Sequence, residues 1–374
     1  MPALPATHSA DHPATAQHVL LSPVPIAMKL RCLMLLVALA SCGREPNPTP
    51  LKKTPAPDLT GALTWLNSRS VLLATLRGKV VLLHFFDYAS ADSVRDLSYL
   101  RKWQKRYNTG QLVVLGIHAP ERDFALDPIN VSAGIRRLGI TYPVAVDSGY
   151  QIATAYQNRQ TPCFILVDKD GCLRFERVGT GQYAETETQI QTLLREITPS
   201  VSLPVPLANP RPVEGSVTPM LCVGNVCGRL GNEPASSTNG VATYVLPAGR
   251  EPNRVYVAGQ WSRHESCLRH TADVAELTDA LVVRYRGVDV GVVMKPEDVY
   301  WKQVLVQQDG QWLPRQLAGK DVSFDETGRS YVRVNMAALY ELVVGQVAGT
   351  HELTLFAQGK GLSVYSFHFG SSLR

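Results

Sequence analysis

The chain has 374 residues, 45% of them hydrophobic, with a formal net charge of +5. That length allows two or three domains with sizeable cores. The basic residues are scattered, with no Lys/Arg run, which argues against a nucleic-acid surface, and the seven cysteines show no zinc-ligand spacing.

The first informative stretch is near the N-terminus. Met28-Lys29-Leu30-Arg31 is a short basic segment, and Cys32 to Ala40 is an apolar run of signal-peptide length. It is too short to span a bilayer as a mature helix. Leu39-Ala40-Ser41-Cys42-Gly43 follows and is similar to a bacterial lipoprotein cleavage box, in which Cys42 would carry the lipid. Residues 1–42 are therefore expected to be a leader and lipoprotein signal peptide. Residues 1–27 fit no targeting pattern, and translation from Met28 would make them a misplaced start or a disordered leader. Residues 43–60, rich in Pro, Lys and Asn from Arg44 to Pro57, read as a solvated tether.

Residues 61–198 alternate strand and helix patterns. Val80-Val81-Leu82-Leu83-His84-Phe85-Phe86 predicts a strand buried on both faces. A polar turn from Asp87 leads into a helix from about Ser90 to Tyr107, with Val94, Leu97, Leu100, Trp103 and Tyr107 at helical spacing. Leu112–Ile117 is the next buried strand, Ile129–Leu138 a helix with Asp127 or Asn130 near its start, and Pro143–Asp147 a short strand. A helix over Tyr150–Tyr156 leads to Thr161-Pro162. Cys163–Val167 and Leu173–Val178 form a hairpin around Asp168-Lys169-Asp170-Gly171, and Glu185–Ile197 is a closing amphipathic helix. In that hairpin Val167 is expected opposite Cys172 and Cys163 opposite Glu176, which leaves Cys163 and Cys172 too far apart for a disulfide.

Residues 199–216 are a Pro-rich linker. From 217 to 374 short alternating runs are separated by Gly, Asp, Asn and Pro, the pattern of a β-sandwich. Few contacts are expected to cross the boundary, so this part is expected to fold alone.

The segment Thr64–Ile197 resembles the thioredoxin-like (redoxin) domains of the DipZ type, associated with cytochrome c biogenesis. The resemblance rests on Trp65-Leu66-Asn67, Leu76-Arg77-Gly78-Lys79-Val80-Val81-Leu82, Gly116-Ile117-His118, Pro120-Glu121, Leu138-Gly139-Ile140-Thr141-Tyr142-Pro143-Val144, Thr161-Pro162 and Asp168-Lys169-Asp170-Gly171. The second half resembles the carbohydrate-binding-like β-sandwich that follows such domains, through Ala258-Gly259-Gln260-Trp261, Arg286-Gly287-Val288-Asp289-Val290, Leu339-Tyr340-Glu341-Leu342-Val343 and Tyr365-Ser366-Phe367-His368-Phe369-Gly370. The fold implied is an α/β thioredoxin-like fold followed by an all-β sandwich of jelly-roll or galactose-binding-like type.

The family carries a C-x-x-C pair at the helix start. At those positions this chain has Ser90 and Ser93, in Ser90-Ala91-Asp92-Ser93. The first cysteine of such a pair attacks a substrate disulfide and the second resolves it. A serine hydroxyl neither ionises here nor forms a mixed disulfide. Ser90 reads as a helix N-cap, with a hydrogen bond to a ligand as its functional alternative. Thr161-Pro162 matches the family's cis-proline corner, where the backbone before the proline pairs with an extended peptide; that surface needs no sulfur. Cys163 follows it and is the one thiol near the turn, either a buried small hydrophobe or a nucleophile. Cys222 and Cys227 are expected to form a local disulfide, with Cys267 as an alternative partner. His118 matches a family position near the turn and reads as packing, as does His84. Trp312, in the loop Asp309-Gly310-Gln311-Trp312, covers the hydrophobic edge or stacks on a sugar; Trp261 and Phe367 read as core.

Two functions follow. One is an exported, lipid-anchored, redox-inactive lipoprotein on the periplasmic side of the bacterial envelope, at either membrane, that binds an extended peptide, an envelope protein or a glycan. The other is a thiol-disulfide oxidoreductase or redoxin using Cys163. Neither implies a cofactor, a metal or nucleic acid.

Overall fold

The computed structural model of the chain describes residues 49–211, 213 and 215–370. The signal-like segment, Cys42 and the first residues of the tether lie outside the described residues.

The first half builds one mixed sheet. Its strands in chain order are β1 (Thr49–Pro55), β2 (Thr64–Leu66), β3 (Val80–Phe86), β4 (Leu112–His118), β5 (Val144–Val146), β6 (Cys163–Val167) and β7 (Cys172–Val178). Across the sheet they run β1-β7-β6-β3-β4-β5-β2. β3 is central, parallel to β4 and antiparallel to β6, and every residue in it is buried. The helices are α1 (Ala91–Arg106), α2 (Pro128–Arg137), α3 (Gln151–Ala155) and α4 (Tyr183–Ile197). The alternation of β3 divides the core. Val80, Leu82 and Phe86 pack with Val94, Leu97, Leu100 and Trp103 of α1 and with Ile190 and Leu194 of α4. Val81, Leu83 and Phe85 face the other way, toward Ile152 of α3. The start of α2 is set by Asp127, whose side chain accepts from the Ile129 N–H at 2.8 Å, with Pro128 in the first turn.

Two expectations are corrected. Part of the tether is a strand: β1 pairs antiparallel with β7, Thr54 opposite Leu173 and Pro55 opposite Cys172. Edge strands tolerate proline and lysine, and Lys53 reaches Asp170 at 2.9 Å and Asp168 at 3.3 Å. The hairpin register also differs. Cys163 lies opposite Val178 and Val167 opposite Leu173, with an irregularity between Leu166 and Val167. The cause is the turn: the Asp168 N–H donates to the Cys172 carbonyl at 2.9 Å, and its side chain accepts from the Cys172 N–H at 2.9 Å. Asp168 is therefore Cys172's partner.

The Pro-rich segment after α4 is anchored onto the first domain at several points while much of it stays exposed. The Glu187 carboxylate accepts from the Leu207 N–H at 2.7 Å, Tyr99 donates to the Ala208 carbonyl at 3.0 Å, and Leu203 and Leu207 lie against the core.

Beyond it the chain is an antiparallel all-β domain. Strand Val255–Arg263 joins its two sheets: Val255–Ala258 pairs with Ala280–Val283, and Trp261–Arg263 pairs with Leu268–His270. The bend between them is at Gly259, where φ is +87° and a Cβ would meet the Asp279 carboxyl. Apolar faces of both sheets, including Val257, Val283 and Leu355 on one and Trp261, Val292 and Phe367 on the other, meet in one core.

The boundary between the domains is not sparse. Cys267, Val293, Leu339 and Tyr365 of the β domain belong to the same buried cluster as Tyr88, Ala89, Val94 and Ile135. The Phe124 and Tyr365 rings meet edge-on at 5.0 Å. Arg137 pairs with Asp321 at 2.7 Å and covers the Tyr340 ring at 4.8 Å. An independently folding second domain is not what this shared core predicts.

Candidate functional site

β3 delivers the chain into a turn that opens α1. Asp87 organises it: one carboxylate oxygen accepts from the Ala89 N–H at 2.7 Å and the other from the Glu121 N–H at 2.6 Å. The Ser90 N–H donates to the Asp87 carbonyl at 3.1 Å, and the Ser90 carbonyl accepts the first helical bond, from the Val94 N–H, at 3.0 Å. Ser90 thus stands at the N-cap position, but its hydroxyl makes no capping bond. The Ser93 hydroxyl accepts from the Asp87 N–H at 3.2 Å. Ser90 is 6% exposed and Ser93 1%. Asp92 is exposed and paired with Arg95, which also reaches the Phe369 carbonyl of the β domain at 3.4 Å.

Opposite lies Thr161-Pro162, with a cis peptide bond as the resemblance implied. The Thr161 hydroxyl donates to Glu121. Glu121 keeps 34% side-chain exposure. Surrounding protein and then the Asp87 charge push its carboxyl up, to about 7, against the pull of Arg122. Thr161, Glu121 and Asp87 therefore form one polar seam joining the proline corner to the turn.

Under the turn is a buried charge network. Asp96 accepts from Arg177 at 2.8 Å and from the Tyr183 hydroxyl at 2.7 Å, and lies 3.6 Å from His84 Nε2. Burial would raise the Asp96 carboxyl, but the Arg177 charge and these hydrogen bonds hold it below its ordinary value. His84 and His118 are both buried, and burial lowers each imidazole below its ordinary value against the pull of Asp96 and Asp87. His118 stacks on Tyr88 at 5.6 Å and lies 4.0 Å from Asp87.

The thiols sit elsewhere. Cys163 lies on the opposite face of the sheet from the turn, packed with Phe85, Ile165 and Tyr156 and fully buried. Strand alternation explains this, since Phe164, not Cys163, points toward α1. Burial, and then Glu176, drive the Cys163 thiol well above its ordinary value. It cannot meet a substrate at the turn. Cys222 and Cys227, expected as a disulfide, are both free thiols, five residues apart at the entry to the β domain. Cys267 is buried among Tyr365 and the first domain's core and pairs with neither. Trp312 is half-buried in a short strand beside Gln307. Asp96, Arg177 and Arg122 take their places through long-range contacts that no local pattern marks. The first two meet across 81 residues, whereas Arg122 follows Pro120-Glu121 directly, just past the end of β4.

Residues 53–176 match the AhpC/TSA family, and residues 227–370 match the family described as thioredoxin like C-terminal domain. The chain is 29% identical to the protein DipZ of Mycobacterium bovis and of Mycobacterium tuberculosis over 84% of its own length, and spans 43% of theirs. It is 27% identical to the thiol-disulfide oxidoreductase YkuV of Bacillus subtilis over 38% of this chain and 97% of that one. The crystal structure of the thioredoxin-like superfamily protein SPOA0173 is similar over 40% of this chain and 99% of that one, at 30% identity and a TM-score of 0.36. The chain thus joins an AhpC/TSA redoxin domain to a thioredoxin-like C-terminal β domain, an arrangement distantly similar to that of DipZ.

Proposed function

We propose that this chain is an exported lipoprotein of the bacterial envelope whose redoxin domain binds an extended peptide or protein and exchanges no disulfides. The observation that carries the second half is Ser93. It stands where a resolving thiol would be, is 1% exposed, and has its hydroxyl committed to the Asp87 N–H. Cys163 does not replace it, because it lies under the sheet. Export and lipid attachment at Cys42 are inferred from the basic, apolar, Leu-Ala-Ser-Cys order of residues 28–42.

Binding would use the Thr161 corner, which stays partly exposed beside Glu121. The test has two arms. A chain carrying Cys222→Ser and Cys227→Ser isolates the redoxin domain and is expected to reduce a protein disulfide no faster than buffer. Activity in that chain that disappears on Cys163→Ser overturns the non-catalytic reading. Titration with mixed extended peptides is expected to shift the amide resonances of Thr161 and Glu121 while leaving the Asp96 surroundings unmoved. No shift with any peptide removes the binding reading.

A glycan is the second candidate ligand, at a different place. Tyr300 and Trp301 are 72% and 49% exposed, and Arg333 lies over the Trp301 ring at 5.0 Å. Indole faces of this kind stack on sugar rings. Quenching of Trp301 fluorescence by oligosaccharides, lost in Trp301→Ala, is the measurement.

A further inference from the structure

Cys222 and Cys227 stand at the entry to the β domain, on a turn that is held from several sides. Cys222 lies opposite Ser366 in strand Leu362–Gly370. The Gly228 N–H donates to the Gly224 carbonyl at 3.1 Å. A Cβ on Gly228 would come within 2.1 Å of the Cys222 carbonyl oxygen, so only glycine lets the chain return this close. Arg263 clasps the turn, donating to the carbonyls of Val223 at 3.0 Å, Gly224 at 3.1 Å and Gly228 at 2.6 Å. The N–H groups of Asn225 and Val226 donate to His264 at 2.8 Å and Glu265 at 3.0 Å. The result is two partly exposed thiols held on one tight turn.

The redoxin domain supplies the rest of the surroundings. Arg122 donates to the Ser366 hydroxyl at 2.9 Å, and Ser366 is Cys222's partner across the ladder. The residue before it, Glu121, holds the Thr161 hydroxyl. The β domain thus brings a dithiol to the side of the redoxin domain where the proline corner lies, on a turn that Arg263 clasps and beside the Ser366 that Arg122 holds.

We propose that Cys222 and Cys227 form a reversible dithiol–disulfide pair that exchanges with an accessible disulfide at this domain boundary. The inference goes beyond the binding reading and stands without it.

The division of labour follows from the contact. The hydrogen bond from Cys222 favours the thiolate of Cys227, and Arg122 and Arg263 add to that against burial, bringing the Cys227 thiol down to about 7. The same contact raises Cys222, with burial and the nearby Glu121 carboxylate adding to it against Arg122. In the step, the Cys227 thiolate attacks one sulfur of the substrate disulfide. A Cys227–substrate mixed disulfide forms and the other substrate sulfur leaves as a thiolate, taking a proton. Cys222 then gives up its proton and attacks the Cys227 sulfur. The Cys222–Cys227 bond forms, the mixed disulfide breaks, and the second substrate thiol is released. Two electrons and two protons pass to the substrate, which is reduced, while the dithiol is oxidised.

The competing outcome is a permanent structural disulfide. The test uses the full chain, folded, in glutathione redox buffers, with alkylation and peptide mass reading Cys222 and Cys227 directly. The pair is expected to interconvert reversibly. Cys222→Ser is expected to trap Cys227 as a lasting mixed disulfide with glutathione, which the wild type expels. The alkylation rate of wild-type Cys227 is expected to be half-maximal near pH 7. Arg122→Gln should move that midpoint upward, and Arg122→Lys should restore it. A pair that stays oxidised in every buffer until the chain unfolds overturns the proposal. So does a Cys227 profile at the free value of about 8.5 that Arg122→Gln leaves in place. Oxidised insulin in place of glutathione disulfide distinguishes the sources: oxidation by both supports polypeptide disulfides as substrates, and oxidation by glutathione alone supports small disulfides.

Discussion

Arg122 of the redoxin domain donates to the Ser366 hydroxyl of the β domain at 2.9 Å. The same hydroxyl lies 2.8 Å from Nε2 of His368, whose imidazole is kept neutral by burial and by the charges of Arg122 and Arg95. This bond is not a rim contact between two independent bodies. It sits beside the Phe124–Tyr365 ring pair and the cluster that runs from Tyr88 through Tyr365 to Leu339. The consequence is that the turn bearing Ser90 and Ser93 is bounded by the chain's own second domain. A thioredoxin-like surface that is free in a single-domain protein is here partly occupied in cis.

Unfolding should therefore be shared. The chain is expected to melt in one calorimetric transition, and a fragment of residues 217–374 is expected to unfold without cooperativity, because Cys267, Val293, Leu339 and Tyr365 would lose their cover. Tyr365→Ala should lower stability by about 3 kcal/mol, in the range for truncating a buried aromatic. Two separated transitions in the full chain would show that the shared core is energetically minor.

The Asp96–Arg177 pair gives a sharper case. Both side chains are fully buried and 2.8 Å apart. Removing one partner leaves the other charge stranded, which costs about 3–5 kcal/mol. Asp96→Asn is expected to fall in that range by urea denaturation. Asp96→Asn with Arg177→Met should recover a large part of it, since the stranded charge is gone. Additive losses in the double variant would mean the pair is not the coupled unit the geometry indicates.

The path from residues to these contacts was uneven. Val94, Leu97, Leu100 and Trp103 are all buried on one face of α1, and helical spacing alone marks such a stripe. The run Val80–Phe86 announces its burial in the same way. Cys267, Val293 and Tyr365 do not announce theirs. Each sits in a β-type pattern, and nothing in alternation says whether the apolar face meets its own sandwich or another domain. β1 was hidden for a different reason: an edge strand draws its stability from the β7 backbone, so its composition can be that of a tether. At the site, the loss of sulfur at positions 90 and 93 was legible. The side on which Cys163 lies depended on strand phase, and the proximity of Arg122 to Cys222 depended on a domain contact that no local pattern encodes.

Acid sensitivity should come early. His84, His118 and His368 are buried, and in each burial lowers the folded-state pKa below the ordinary value of 6.5. The unfolded chain then binds protons that the folded chain refuses. The stability these groups permit is complete above about pH 6.5 and is lost as pH falls below it, by up to about 1.4 kcal/mol per pH unit for each histidine. Urea midpoints measured from pH 7 down to pH 5 should fall steeply, and His118→Leu should flatten the fall. A midpoint independent of pH over that window would show that the imidazoles protonate without unfolding.

The last prediction restores the missing sulfur. The strand, the turn fixed by Asp87 and the helix start at Ser90 are all in place, so Ser90→Cys with Ser93→Cys should give a pair that oxidises reversibly within the chain. A thiol at a helix start titrates below the free value of about 8.5, and the neighbouring charges decide how far. Asp92 opposes the thiolate, but it is paired with Arg95. Asp92→Asn in the double variant should therefore lower the first thiol's pKa only slightly, and Arg95→Gln should raise it by leaving Asp92 uncompensated. Exposure adds a second expectation. Ser90 is 6% exposed and Ser93 1%, so the restored pair should react with small disulfides well before it reduces a folded protein. Alkylation rate against pH reads the first effect, and the ratio of glutathione disulfide to insulin turnover reads the second. A restored pair that reduces insulin as fast as glutathione disulfide would show that the β domain swings clear of the turn in solution, and cysteines that never pair would show that the helix start has drifted from the geometry a redox pair needs.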